Sequence, residues 1–378
     1  MSGGGRGRLR TARTAAVCAA AVVLGIMAGC GDGGGLPKQP AGTTGLPAAG
    51  APELARIRWD ASAVAAAAPA LVGWREDMNG SAGSLVALTE GSATTDGVRE
   101  LWRAPEGLEV DLIALDAAGE RVAMLLTVAD ESRPSGSRRA LAVAGPQGTA
   151  EARLPEDADV VTAAFASDGR LIVVAATLGP TSIETTLGGV AADGSWQSVR
   201  LAGEVPTHHF VERVMAVEGT DAIALVLKTP GAPGNRDDEA LVLATLEGDE
   251  LGVYTPPFFD DSLPSASPLD GDEGVVYART WREISRRPVV DLVRARFNGT
   301  EWEEAVLIED AAIASGVETG QVAACASDGT LWLRSAGERA DDGSAIGERL
   351  MRLDPASRVL EPTLVDVGSV LMWWWIGR

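Results

Sequence analysis

Five times along this chain an apolar run stops at a tight turn and a second apolar run begins. The best-formed copy is Ala163-Ala164-Phe165-Ala166, then Ser167-Asp168-Gly169, then Arg170 to Thr177. Asp-Gly between two such runs is the strongest short hairpin signal, because both turn residues reach positive φ there at little cost. Related copies run from Leu115 to Leu126, Val217 to Leu225, Leu269 to Tyr277 and Ala326 to Leu333. Their turns fall near positions 116, 168, 219, 271 and 328, a spacing of roughly 50 residues, which signals repeated units of one supersecondary structure.

Each unit reads as four strands. The second unit has 110–115, 121–128, 139–144 and 150–154; the third has 160–166, 170–177, 183–191 and 196–201. The fourth has 210–217, 221–228, 239–246 and 251–254. The fifth enters through Pro256-Pro257-Phe258-Phe259 and continues at 274–281, 289–297 and 302–308. The sixth has 320–326, 330–334, 348–353 and 359–365. The first unit lacks the Asp-Gly turn. Leu54 to Trp59 alternates like a strand, Ala63 to Ala68 takes the first-strand slot, and Pro69 to Trp74, 84–88 and 98–102 follow. No segment sustains a 3.6-residue period, and Gly and Pro recur too often for long helices.

Four antiparallel strands repeated six times predict an all-β fold, a six-bladed β-propeller. A lone four-stranded sheet exposes two faces, and only neighbouring sheets on both sides bury them. Small residues before the turns (Ala163, Ala164, Ala323 and Ala324) suit innermost strands, where blades crowd together. The Ser-Asp-Gly pattern at 166–173 and 326–333 resembles the TolB-like six-bladed propeller family over roughly residues 60–378. The resemblance implies a fold; such repeats serve translocation proteins, peptidase lids and bacterial lipoproteins alike.

The chain ends Ser369-Val370-Leu371-Met372-Trp373-Trp374-Trp375-Ile376-Gly377-Arg378, beyond the sixth set of strands. As a strand, it puts Trp373 and Trp375 on one face and Trp374 on the other, so burial needs a partner on each side. The expectation is that this segment closes the ring by pairing in the first sheet, near Ala63–Trp74 or beside Leu54–Trp59. The functional alternative is an aromatic platform for a sugar or a lipid.

The N-terminus carries Arg6, Arg8, Arg10 and Arg13, then a short apolar stretch from Thr14 to Gly25. That is the pattern of an export signal. It ends in Met27-Ala28-Gly29-Cys30, which resembles the lipobox of bacterial lipoproteins. The resemblance implies that Cys30 is lipidated and becomes the new N-terminus. Gly31 to Gly35 and the Gly/Pro-rich residues after it read as a flexible tether. The expected organisation is a signal peptide at 1–29, lipidated Cys30 with its tether at 30–53, and the propeller at 54–378. With Cys18 in the signal and Cys30 lipidated, Cys325 stands alone in an apolar strand and reads as a small buried hydrophobe.

Lysine and arginine number 32 against 53 acids, a net charge of −21; without the four signal arginines it is about −25. Nucleic acid needs a basic face, so it is excluded as a partner. Electrostatic docking on anionic lipid is excluded for the same reason. The lipobox resemblance implies instead that the membrane is reached through the lipid on Cys30, at the extracytoplasmic face.

Candidate chemistry is sparse. No Gly-x-Ser-x-Gly elbow is present. His208-His209 are adjacent, so on a strand they face opposite ways and do not share a metal. Asp260, Asp261, Asp270, Asp272 and Glu273 offer oxygens for calcium but not the spacing of a calcium loop, and they read as a solvated acidic loop. Asn79-Gly80-Ser81 and Asn298-Gly299-Thr300 match glycosylation sequons and read as turns. No catalytic residue, metal ligand or cofactor is expected. The reading is a monomeric, membrane-anchored module that binds a protein or an envelope component. The alternative is a glycan hydrolase or lyase using Asp116, Asp168 and Asp328 as rim carboxylates.

Overall fold

The apolar runs become strands because each has sheet neighbours on both sides. In the computed structural model, the described residues lie between 52 and 377. Outside them are 1–51, 76–82, 89–97, 132–135, 156–157, 167, 179–182, 192–193, 199–209, 217–221, 230–237, 246–249, 255–266, 269–273, 283–287, 299, 310–318, 327–329, 336–348, 355–356, 358, 367–369 and 378. The export signal, Cys30, its tether, His208-His209, the acidic loop and the 256–259 entry thus lie outside the described residues.

The chain enters through a 3-10 turn, Leu54–Arg56, and a short helix, α1 (Ala61–Ala65). Strands β1 (Ala70–Arg75), β2 (Ser84–Leu88) and β3 (Val98–Arg103) follow. The second sheet is β4 (Val110–Leu115), β5 (Val122–Ala129), β6 (Ser137–Gly145) and β7 (Gly148–Glu151). The third is β8 (Ala158–Phe165), β9 (Leu171–Leu178), β10 (Ile183–Val190) and β11 (Trp196–Ser198). The fourth is β12 (Phe210–Ala216), β13 (Ala222–Thr229), β14 (Asp238–Thr245) and β15 (Glu250–Tyr254). The fifth is β16 (Ser267–Pro268), β17 (Gly274–Arg282), β18 (Pro288–Phe297) and β19 (Trp302–Ile308). The sixth is β20 (Thr319–Cys325), β21 (Leu331–Ser335), β22 (Arg349–Asp354) and β23 (Val359–Asp366). The last strand, β24 (Val370–Ile376), returns to the first sheet, whose order is β24-β1-β2-β3. All these pairings are antiparallel.

The first strands of successive sheets touch in chain order: β4 meets β8, then β12, β16, β20 and finally β24. Between sheets one and two lie Val72, Trp74, Leu112, Val122, Met124 and Leu126. Sheets two and three share Leu125, Leu141, Phe165, Leu171 and Val173; sheets three and four share Ile172, Val174, Val214, Ile223 and Leu225. The second strand of a sheet is thus covered on both faces. Ile172, Val173 and Val174, and likewise Ile223 to Val226, are fully buried. This is why β9 and β13 read as unbroken apolar runs instead of alternating ones. The pairing of the first strand with the second slips register in sheets two, three, four and six. Bulges of this kind sharpen the local twist.

Two expectations are corrected. Ala63–Ala68 is not a strand. Asp60 caps α1 by accepting from the Ala63 N–H at 3.0 Å, and Val64 is driven into the core. Nor is Leu54–Trp59 a strand. Leu54 and Ile57 are buried with the cluster between sheets one and two, and the backbone oxygens of Ile57 and Arg58 accept from Thr149 and Trp102. The segment joins no sheet: it lies against β7 and seals two sheets instead of extending one. The Asp168 turn is closed by backbone hydrogen bonds. Gly169 donates to Ala166 O and Ala166 donates to Arg170 O, both at 2.9 Å. Three residues separate that closing pair, and Gly169 at φ +87° supplies the left-handed position.

The first-strand slot that Ala63–Ala68 leaves open is filled from the other end of the chain. β24 pairs with β1 from Ala70↔Ile376 through Gly73↔Trp373 to Arg75↔Val370. Trp374 packs into the core between sheets one and two, while Trp373 and Trp375 pack on the other face against Leu71, Trp332 and Leu350.

Candidate functional site

Two places gather side chains capable of chemistry. The first is the turn end of sheets two and three. In the β4–β5 turn, Gly119 donates to Asp116 O at 2.9 Å and takes φ +70°. The Asp116 carboxylate is buried and fully used: one oxygen accepts from the Glu120 N–H at 2.7 Å, the other from Arg121 Nε at 3.1 Å. Arg121 then reaches across to sheet three. Its Nη1 donates to Gly169 O, and its guanidinium carbon lies 4.9 Å from the centre of the Phe165 ring.

Asp168 is exposed, but both its oxygens are likewise engaged within its own turn. One oxygen accepts from the Arg170 N–H at 2.9 Å and the other from Arg170 Nε. Each of these carboxylates is thus neutralised by an arginine within its own turn and spent on holding the turn's shape. A glycosidase acid or base must instead be free to exchange a proton with substrate. Asp328 lies outside the described residues. Among the described residues, no group of three or more His, Cys, Asp or Glu side chains could hold a metal ion.

The second place is the closure. Trp332 of β21 is 5% exposed and meets half-buried Trp373 and Trp375 of β24 in the junction of sheets six and one. The sequence announced Trp373–Trp375 by their adjacency. Nothing in it singled out Trp332, which only the packing of sheet six against sheet one brings there. Arg121 was equally hidden, since its partners lie in two different repeats.

The remaining candidates have bland places. Cys325 ends β20, its backbone opposite Leu331. Asn298 shapes the β18–β19 turn: its side-chain oxygen accepts from the N–H groups of Thr300 and Glu301, both at 3.0 Å. Among the described residues, no helix is long and apolar enough to cross a membrane.

No protein-family model and no curated protein matches the chain. Among solved structures, it is similar to a Bacteroides caccae protein of unknown function, at 13% identity and a TM-score of 0.44 over 82% of this chain and 99% of that one. It is also similar to the β-propeller domain of the Trilobed protease from Pyrococcus furiosus, whose structure shows an open velcro topology (14% identity, TM-score 0.45, 68% of this chain and 72% of that one). A third is the tricorn protease, at 9% identity and a TM-score of 0.44, covering 78% of this chain but 30% of that one. At such identities and TM-scores, none of them bears on what this chain binds or does.

Proposed function

We propose that this chain is a lipoprotein whose six sheets are the blades of a TolB-like β-propeller, and that it binds a protein or cell-envelope component without turning it over. The lipid on Cys30 and the glycine-rich tether hold it at the outer face of the cytoplasmic membrane, as a monomer without a cofactor. The observation that carries the binding reading is the use made of Asp116 and Asp168. Both carboxylates are locked by Arg121 and Arg170 into turn structure. The anchor reading rests on the sequence Met27-Ala28-Gly29-Cys30.

Membrane fractionation of cells fed labelled palmitate tests the anchor. Wild type is expected to take up label and sediment with membranes, and Cys30→Ala is expected to do neither. A Cys30→Ala protein that is still processed and still membrane-bound would remove the lipid from the account.

A further inference from the structure

Residues from the two ends of the described chain meet on one turn of sheet two. A Cβ placed on Gly119, in the β4–β5 turn, would lie 2.4 Å from Val64 Cγ1 and 3.8 Å from Ile376 Cδ1. Val64 and Ile376 thus come together over that glycine. The carbonyls of the turn bind both ends: Gly119 O accepts from Trp59 Nε1 at 3.3 Å, and Ala117 O from the Gly377 N–H at 3.1 Å. Ile376 is fully buried and opposes Ala70, the first residue of β1. α1 lies on the outside of this contact, since Val64 is fully buried while Ser62, Ala65 and Ala66 are exposed.

α1 is held less firmly than the segment before it. There Leu54 and Ile57 are buried, Trp59 packs on Trp102 at 5.6 Å, and Trp102 Nε1 donates to Arg58 O at 2.7 Å. From Asp60 to Ala68, Val64 alone is fully buried. A five-residue helix does not persist without tertiary support, and a segment with so few buried groups opens at less cost than a sheet. We propose that residues 60–68 are a lid over the closure between β24 and β1. The lid swings between Trp59 and Pro69 while the sheets stay formed, and β24 leaves β1 only after it has opened. Opening takes Val64 off Ile376, and the end of β24 is then free to fray. One surface segment thereby governs the closure, instead of the strand pairing alone.

Amide hydrogen exchange, followed residue by residue by NMR, tests this. The N–H groups of Val64, Ala66 and Ala67, which bond Asp60 O, Ser62 O and Val64 O, are expected to exchange first. Those of β24 come next, and those of Ile223 to Val226 in β13, buried on both faces, come last. Asp60 is exposed, and its carboxylate bonds Ser62 and Ala63 within α1. Asp60→Ala is expected to speed exchange in α1 about five- to tenfold. Exchange in β24 is expected to rise by the same factor, because every opening of β24 includes an opening of the lid. Gln197 in the edge strand β11, which opens without the lid, is expected not to change. Ala65→Gly, at an exposed site in α1, is expected to give the same pattern at about two- to fivefold. If α1 speeds up and β24 does not, the strand opens on its own and the lid is refuted. An α1 that exchanges as slowly as β13, or a β24 that exchanges faster than α1, refutes it equally.

Discussion

Asp60 and Asp111 are both hydrogen-bonded carboxylates, yet their surroundings move their proton affinities in opposite directions. Asp60 is exposed; the Ser62 hydroxyl at 2.6 Å and the Ala63 N–H hold its pKa below the usual carboxylate value. Its folded form binds protons less readily than its unfolded form. It therefore contributes stability above the ordinary aspartate pKa, which is lost as pH falls through the lower, folded value. At Asp111, burial outweighs the Arg139 guanidinium at 2.5 Å and pushes the pKa up. Here the charged form is a net cost above the folded pKa, and the cost disappears as pH falls toward the ordinary value. Asp111→Asn is accordingly expected to be at least as stable as wild type near about pH 7, with the difference shrinking toward about pH 4. Asp60→Asn keeps a capping oxygen but no charge, and is expected to flatten the acid side of the profile. Urea unfolding across that range checks both. A gap between Asp111→Asn and wild type that widens in acid would reverse the sign argued for Asp111.

At the scale of elements, two glycines make room for tryptophan rings. A Cβ on Gly83 would sit 2.0 Å from Trp74, and one on Gly188 would sit 2.2 Å from Trp196. The two clashes differ in what can yield. Trp74 is buried between sheets one and two and stacked on Trp102. Trp196 is half-buried at the edge strand β11, its Nε1 donating to Ser198 Oγ at 3.3 Å. Overpacking a closed site costs about 1–3 kcal/mol, and a ring that can swing into solvent escapes most of that. Gly83→Ala is therefore expected to lower unfolding free energy by about 2–3 kcal/mol and Gly188→Ala by less than about 1. Chemical denaturation of the two variants side by side is the measurement, and equal losses would refute the argument from the ring's freedom to move.

For the molecule as a whole, the last strand decides whether the sheets form one cooperative unit. β24 supplies the inner strand of sheet one and contacts sheet six through β20. Gly377 adds a hydrogen bond to Ala117 O at 3.1 Å, which ties the chain end to the β4–β5 turn of sheet two. The first strands of the other sheets come from their own repeat; this one comes from the far end of the chain. Deleting 370–378 uncovers Leu71, Val72 and Trp74 on both faces of β1 and is expected to abolish the single sharp thermal transition. Ile376, fully buried, offers the graded version. Ile376→Ala is expected to cost about 2–5 kcal/mol while keeping a single transition. A truncated protein that melts like wild type would place the closure elsewhere.

The sequence by itself determined the four-strand units, their antiparallel order and most strand limits within two or three residues. It could do so because turn chemistry and apolar runs are local, and the second strands, buried on both faces, announce themselves by composition. It also held the pairing of the C-terminal tryptophans, since three adjacent rings demand cover on both sides of a strand. What it misjudged lies where local signals are silent about distant partners. The alanines after Asp60 fit a strand or a helix equally well in isolation. Only β24, arriving from some 300 residues away to take the inner position, leaves them free to turn as α1 and seal the groove between sheets one and two. The same holds for the two candidate places. Asp116 and Asp168 looked like possible acids until Arg121 and Arg170 were seen to hold them, and Trp332 joined Trp373 and Trp375 only through the packing of sheet six on sheet one. Pair interactions between repeats depend on geometry that no single repeat encodes, and so the tertiary structure alone decided them.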